Sequence, residues 1–519
     1  RTLSQRLGRQ VAIDGDLSLL LGSTISVVAT DVRIAAVEWA EEPDFASAAL
    51  LEFELVTDSL WSGPIEIQQL RIDELTLHLE RSDEGEDSWT FQEQDEDSPA
   101  EAEDRLPVII RDLALHDVLL TYDGNSAMPR LQFALANVRG VENTNGNLEF
   151  TSDGRLNDTD LNVHAEIGPV EDLVLLRNTE FSVAGSLGEV AISGEGQIEN
   201  LLAPKKPRGV LTMTGPNAEY LTDILGITPI TTGPLDLDAS IKLSGDQLAT
   251  SIRGAFGEFD IDAKGRFLEL GNLDGIDLRL LASGPDASAV AALAGLKDLP
   301  SHAFTVDAAI GSEDGDLVVE RVSVELGATS LGVSGRFPAF PSPVGAVATL
   351  TLAGPELGEY SSLLGLPGAL TGSFDVALNL AELSGGDASL TVSAESKDVK
   401  LSVEGTIADT EGHAGSRFDV SGQGKSFRPV GRAIGFDAAP DVPYNFQGTL
   451  SLADNNIVLD QGSASLGSDD IDVSGFLGYQ PLEKDTDVGF EVIGPDIAST
   501  LRAWGYATGR LPPERFSVT

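Results

Sequence analysis

The chain has 519 residues and carries 83 Asp and Glu against 33 Lys and Arg, a formal net charge of −50. A field of that sign repels phosphate backbones and anionic membrane surfaces, so it argues against nucleic-acid binding and excludes adsorption through a basic patch, although a saline habitat explains excess acid equally well. There is no cysteine, which removes disulfides, thiolate metal sites and cysteine nucleophiles together.

Glycine (55) and proline (25) are spread among short alternating runs of Val, Leu, Ile and Phe, the pattern of many short strands joined by tight turns. In chain order, Leu3 to Gly8 reads as the end of a short helix. Val11, Ile13 and Asp14-Gly15 read as a strand entering a turn. Alternating strands follow at Ile25 to Ile34, Ala49 to Thr57 and Ile65 to Glu80. An apolar-x-apolar beat (Val32, Ile34; Leu70, Ile72; Leu113, Leu115) suggests one kind of sheet at intervals of 38 and 43 residues. Trp39, Trp61 and Trp89 read as core or turn packing, with a membrane-facing end as the other reading. Ser82 to Asp104 holds 11 acidic residues among 23 and reads as a solvated loop or linker. The expected division is a β region over 1–92, an acidic linker at 93–107, a β continuation over 108–205 and repeats over 206–519.

Those repeats show as two ladders. One runs through Gly226, Gly295, Gly365, Gly435 and Gly505, the other through Gly265, Gly335, Gly405 and Gly475, with steps of 69 or 70. Around the second ladder, residues at two-residue spacing are apolar in every copy: Ile261, Ala263, Phe267; Leu331, Val333, Phe337; Leu401, Val403, Ile407; Ile471, Val473, Leu477. Period two with polar residues between means a strand with one buried and one wet face. The ladder glycine suits a bulge, a bend or close approach of another backbone.

Ahead of the first ladder stand Gly215-Pro216, Gly284-Pro285, Gly354-Pro355 and Gly494-Pro495, with Gly424-Lys425 as the exception. This predicts a short helix in each repeat with Pro at its first position and Gly as its C-terminal cap. Apolar residues eight, five, two and one positions before the glycine (Leu357, Tyr360, Leu363, Leu364) give it one sticky face. One such unit cannot bury its own apolar face, so neighbours must stack and the array is extended. The expectation is a mainly β, elongated, mostly antiparallel stack of repeats. Leu511 to Thr519 resembles the first strand of a further unit, so the chain is expected to continue.

Signals for chemistry are weak. His78, His116, His164, His302 and His413 are widely separated, and no metal is expected. Gly424-Lys425-Ser426 ends like a phosphate loop, but Asp419 stands where the first glycine belongs. Asp470, Asp472, Ser474 and Gly475 begin like a calcium loop that then places Pro481 at its twelfth position. No cofactor and no enzymatic activity are expected. No run reaches the roughly 18 apolar residues that cross a bilayer as a helix.

The N-terminal wording resembles the AsmA family of Gram-negative envelope proteins. The marks are Asp14-Gly15, Asp31-Val32-Arg33-Ile34 with Trp39, the run Gly63 to Leu79 ending in Glu80-Arg81, and Trp89-Thr90-Phe91 preceded by Ser88 where the family commonly has Asn. The resemblance implies a periplasmic β structure tethered to the inner membrane through a segment absent from this chain. It further implies a trough that binds phospholipid and conducts it toward the outer membrane. A non-lipid scaffold assisting outer-membrane protein assembly is the alternative. The twelve apolar residues named above are the groove candidates. Whether they line an open groove or pack against the helices as a closed core stays open at this stage.

Overall fold

A computed structural model describes residues 8–61, 65–82, 87–89, 108–124, 130–170, 172, 178–198, 208–224, 231–244, 247–268, 275–293, 299–338, 345–363, 371–382, 387–397, 399–408, 413–433, 438–453, 456–478 and 487–519. Strand accounts for 67% and helix for 8%, so the fold is mainly β. The alternating runs became strands, and the Gly- and Asn-containing tetrads between them became turns. The chain divides into two units, Arg1–Asp260 and Ile261–Thr519.

In the first unit, β1 (Val11–Ile13) and β2 (Leu17–Leu21) lie end to end against β3 (Thr24–Ala35). Next comes β4 (Asp44–Val56), antiparallel to β3. Along β4 lie β5 (Ile65–Asp73) and β6 (Thr76–Glu80), again end to end. Both of these pair in parallel with the long β7 (Val108–Asp123). A parallel neighbour cannot be reached by a tight turn, so the chain between β6 and β7 is a crossover. The acidic segment occupies it, and most of that segment, including the expected linker 93–107, lies outside the described residues. From β7 to Gln247–Phe256 the described pairings are all antiparallel.

The parallel ladder has a constant offset, with Asp73 opposite His116 and Thr76 opposite Leu119. Its period also marks the backbone. Asp31, Glu74 and Asp117 are left-handed, with φ of 53°, 52° and 53°, a conformation that costs an L-residue roughly 1–2 kcal/mol. The equivalents of Val32 are therefore Leu75 and Val118. The expected 38-residue step from Val32 to Leu70 is corrected: it misaligns the beat, because Leu70 and Ile72 lie ahead of the left-handed residue, opposite Leu113 and Leu115.

In the second unit antiparallel pairing runs from Asp277–Gly284 to Phe516–Val518. The strand glycines serve close approach. A Cβ on Gly335, Gly405 or Gly475 would meet the carbonyl oxygen of Val347, Arg417 or Asp487 at 2.5, 2.2 and 2.1 Å, and the Cα of the next residue at 2.7–2.8 Å. Bulges lie beside two of the three, between Val319 and Val322 opposite Gly335 and between Leu459 and Gly462 opposite Gly475. The strand facing Gly405 is regular.

Among the described residues, the helices of the repeats are Glu219–Ile224, Ala287–Leu293, Arg428–Ala433 and Ile497–Ala503, with a 3-10 turn at Leu357–Tyr360 in the remaining repeat. Pro at the first helical position is corrected. Proline lies at least two positions earlier, and the residue immediately after it caps the helix. Asn217, Asp286, Glu356, Ser426 and Asp496 each accept, through a side-chain oxygen, the N–H two residues on. That is the N-cap bond, and it satisfies one of the donors a helix start leaves orphaned. The C-cap reading is seen at Gly505, with φ of 84° and the Tyr506 N–H reaching back to the Leu501 carbonyl. Gly226, Gly295, Gly365 and Gly435 lie outside the described residues.

Candidate functional site

Cross-strand pairing turns the period-two pattern into rows. In the second unit one row passes from Leu280 through Ala308, Val322, Val333, Leu350 and Leu378. It continues through Val392, Val403, Val420, Gly448, Gly462 and Val473 to Phe490. No polar side chain interrupts it. A second row holds Val324, Leu331, Leu352, Val376, Ala394 and Leu401 and runs on through Ile471 to Val518. A third follows the ladder glycines, with Ala348, Leu380, Leu390, Phe418 and Leu450 between them.

The candidates fall as follows. Leu331, Leu401 and Ile471 share the second row, and Val333, Val403 and Val473 the first. Phe337 and Ile407 lie beyond the glycine row, while Ile261, Ala263 and Phe267 stand on Phe259–Phe267. All eleven are half-buried. The side chain of Leu477 lies outside the described residues. Sequence reasoning found one strand in each repeat; the other strands carry the same alternation with less regular spacing.

The helices pack at the strand ends. Leu357 and Tyr360 cluster with Phe374, Leu352 and Val376, and Tyr360 meets Phe374 edge-on with centroids 5.9 Å apart. Toward the opposite strand ends, Ala346, Leu380 and Ala388 collect Phe337, Leu378, Leu390 and Ile407. Val333, Leu350, Val392 and Val403 belong to neither cluster. The opposite face is polar. A hollow of about 1020 Å³ is lined by Glu404, Asp419, Asp460, Asp472 and Glu491 together with Val420, Val473 and Phe490 of the first row.

The first unit repeats the arrangement. A row runs from Leu19 through Val27, Phe53, Leu70, Leu113 and Gly140. It goes on through Phe150, Ala165, Val183, Gly194, Leu211 and Ala239 to Ile252. A neighbouring row through Ile72, Leu115, Val138, Val163 and Ile192 carries one polar member, Ser152, whose buried Oγ has no partner.

Near its N-terminal end the motif residues converge on a clamp. Ser88, only 1% exposed, takes the Glu80 N–H on its Oγ at 2.8 Å and gives its own N–H to the Glu80 carbonyl at 2.8 Å. Its carbonyl accepts from the Arg9 guanidinium, which also lies over the Phe45 ring at 5.0 Å. The Glu80 carboxylate accepts the Glu41 and Glu42 N–H groups at 2.7 and 3.2 Å. Arg81 pairs with Asp87 at 2.6 Å and stacks over Trp89, which packs on Tyr122. Arg33 joins Asp14, which raises the guanidinium pKa. These residues bind main-chain groups and one another, which is structural work. Trp61 departs from core or turn packing: it is 84% exposed.

The model of the AsmA family matches residues 2–200. This region is AsmA sequence. The match spans the clamp and continues past β7 into the antiparallel strands, well beyond the N-terminal marks that first suggested it. AsmA is a cell-envelope family with a role in outer-membrane biogenesis. Comparison with curated proteins and with solved structures found no match. Among the described residues, no helix is long and apolar enough to cross a membrane, and no cluster of three or more His, Asp or Glu is placed to hold a metal ion.

Proposed function

We propose that the chain is the periplasmic part of a protein tethered to the inner membrane, and that its apolar sheet face carries phospholipid acyl chains toward the outer membrane without catalysing a reaction. Burial stabilises an acyl chain by about 0.8 kcal/mol per CH₂, so two ordinary chains cross water at a cost on the order of 20 kcal/mol. A carrier must offer unbroken apolar contact. The observation that carries the reading is the row from Leu280 to Phe490, apolar at every strand and half-buried along most of its length. Helices clustered at the strand ends favour a lined groove over a closed core.

Mass spectrometry of the purified chain should find bound phospholipid. Val333→Asp should abolish that lipid while leaving the circular dichroism unchanged, because a carboxylate on an open face stays hydrated. Global unfolding of Val333→Asp, or lipid-free wild-type protein, overturns the carrier reading. A crosslinked outer-membrane assembly protein on a lipid-free chain is the result a scaffold predicts.

A further inference from the structure

One edge of the first unit exposes apolar side chains on both faces of a strand. β2 reads Leu-Ser-Leu-Leu-Leu, and Leu19, Leu20 and Leu21 are 56, 71 and 75% exposed. Successive side chains in a strand point to opposite faces, so Leu19 and Leu21 project to one side and Leu20 to the other. The turn that follows β2 is bound to a second loop: Thr57 donates through Oγ1 to the Gly22 carbonyl at 3.0 Å and through its N–H to that of Ser23 at 3.4 Å. That loop carries Leu60 and Trp61, both exposed. No charged residue occurs from Leu17 to Thr30 in a chain of net charge −50, and Asp58 is the only one from Thr57 to Pro64.

A flat protein surface can cover one side of a strand, not both. A fluid apolar phase covers both by taking in the whole tip, and an indole with its N–H is suited to the boundary of such a phase. We propose that the β2 end and the Leu60-Trp61 loop together form a tip that inserts into a lipid bilayer. Leu19 begins the first unit's apolar row, so the tip is also where acyl chains pass between bilayer and sheet. That second clause rests on the proposed function; insertion does not.

The test floats the full chain with phosphatidylcholine vesicles, alone and enriched in phosphatidylglycerol. The chain should float with the neutral vesicles at low and high salt, and less well with the anionic ones. Brominated lipid should quench its fluorescence, and Trp61→Phe should lose that quenching. Leu20→Ser combined with Leu21→Ser and Trp61→Ser, all at exposed positions and checked by circular dichroism, should weaken vesicle binding by about tenfold or more. Wild-type protein that never floats, a triple variant that floats equally well, or a tip protected only in a concentration-dependent dimer overturns insertion. Val333→Asp separates the two readings: it should float normally, and its retention of lipid would remove the carrier while leaving the tip.

Discussion

Replacing Gly405 by alanine tests the geometry on which the repeat depends. The new Cβ would sit 2.2 Å from the Arg417 carbonyl oxygen and 2.7 Å from the Phe418 Cα, whereas ordinary contact begins near 3.4 Å. Both obstacles are backbone, so no rotamer relieves them. The neighbouring strand must move by about 1 Å, stretching the flanking ladder bonds, each worth about 0.5–1.5 kcal/mol net. Overpacking of this kind costs about 1–3 kcal/mol, offset by about 0.4–1 kcal/mol because the unfolded chain loses freedom on going from Gly to Ala. Gly489→Ala is the control, since its Cβ would have only the Ser474 carbonyl near it, at 3.9 Å. Hydrogen exchange followed by mass spectrometry should show peptides over 400–407 and 417–424 exchanging about tenfold faster in Gly405→Ala, with Gly489→Ala unchanged or better protected. Equal protection in both variants would refute the close-approach explanation.

Further outcomes follow from the caps, the clamp and the helix contacts. The Ser288 hydroxyl and N–H hold the Asp286 carboxyl below its ordinary pKa; a depressed acid stabilises the fold above its unfolded pKa, so protection of Ala287–Leu293 should fall as pH drops below about 4. Asp286→Asn should keep the cap and remove that acid dependence, as measured by thermal melts across pH. Ser88→Ala leaves the Glu80 N–H without its buried acceptor, and the urea midpoint should reflect a loss of about 1–3 kcal/mol. Phe374→Ala should cost about 3–5 kcal/mol and expose Leu357–Tyr360 to exchange.

The 70-residue step was legible because two constraints repeat with it: a backbone approach that only glycine permits, and the period-two alternation beside it. Proline misled because its fixed φ suits either the first helical residue or the residue before the cap. The oxygens of Asn217, Asp286, Glu356 and Asp496 tell these apart, and the residue types at that position (Asn, Asp, Glu, Ser, Asp) were a signal available in advance. The parallel pairing of β5 and β6 with β7 was not legible, since one strand's pattern does not record its neighbour's direction. The rows were half legible. Val333 and Val403 announce themselves beside a glycine ladder, whereas Leu350 and Val392 join them only through pairing. At Leu19 to Leu21 three consecutive leucines were visible, but their exposure on an edge strand was not, since Val118 to Leu120 also run without alternation.

Each of the five capped helix starts is also stitched to the chain that opens the next strand. The N–H of the residue after each of the five caps reaches a carbonyl there: Ala218 to Gly233, Ala287 to His302, Leu357 to Gly372, Phe427 to Val442 and Ile497 to Glu514. A repeat therefore carries its own fastener, and between Gly335 and Gly405 it contributes four strands. At roughly 4.8 Å per strand that is about 19 Å of sheet. Duplication or loss of one whole repeat keeps every row in register and every fastener matched, so such a protein can change length in fixed increments without redesigning its interior. An insertion of an odd number of residues inside a strand would throw each row downstream in that strand onto the wrong face.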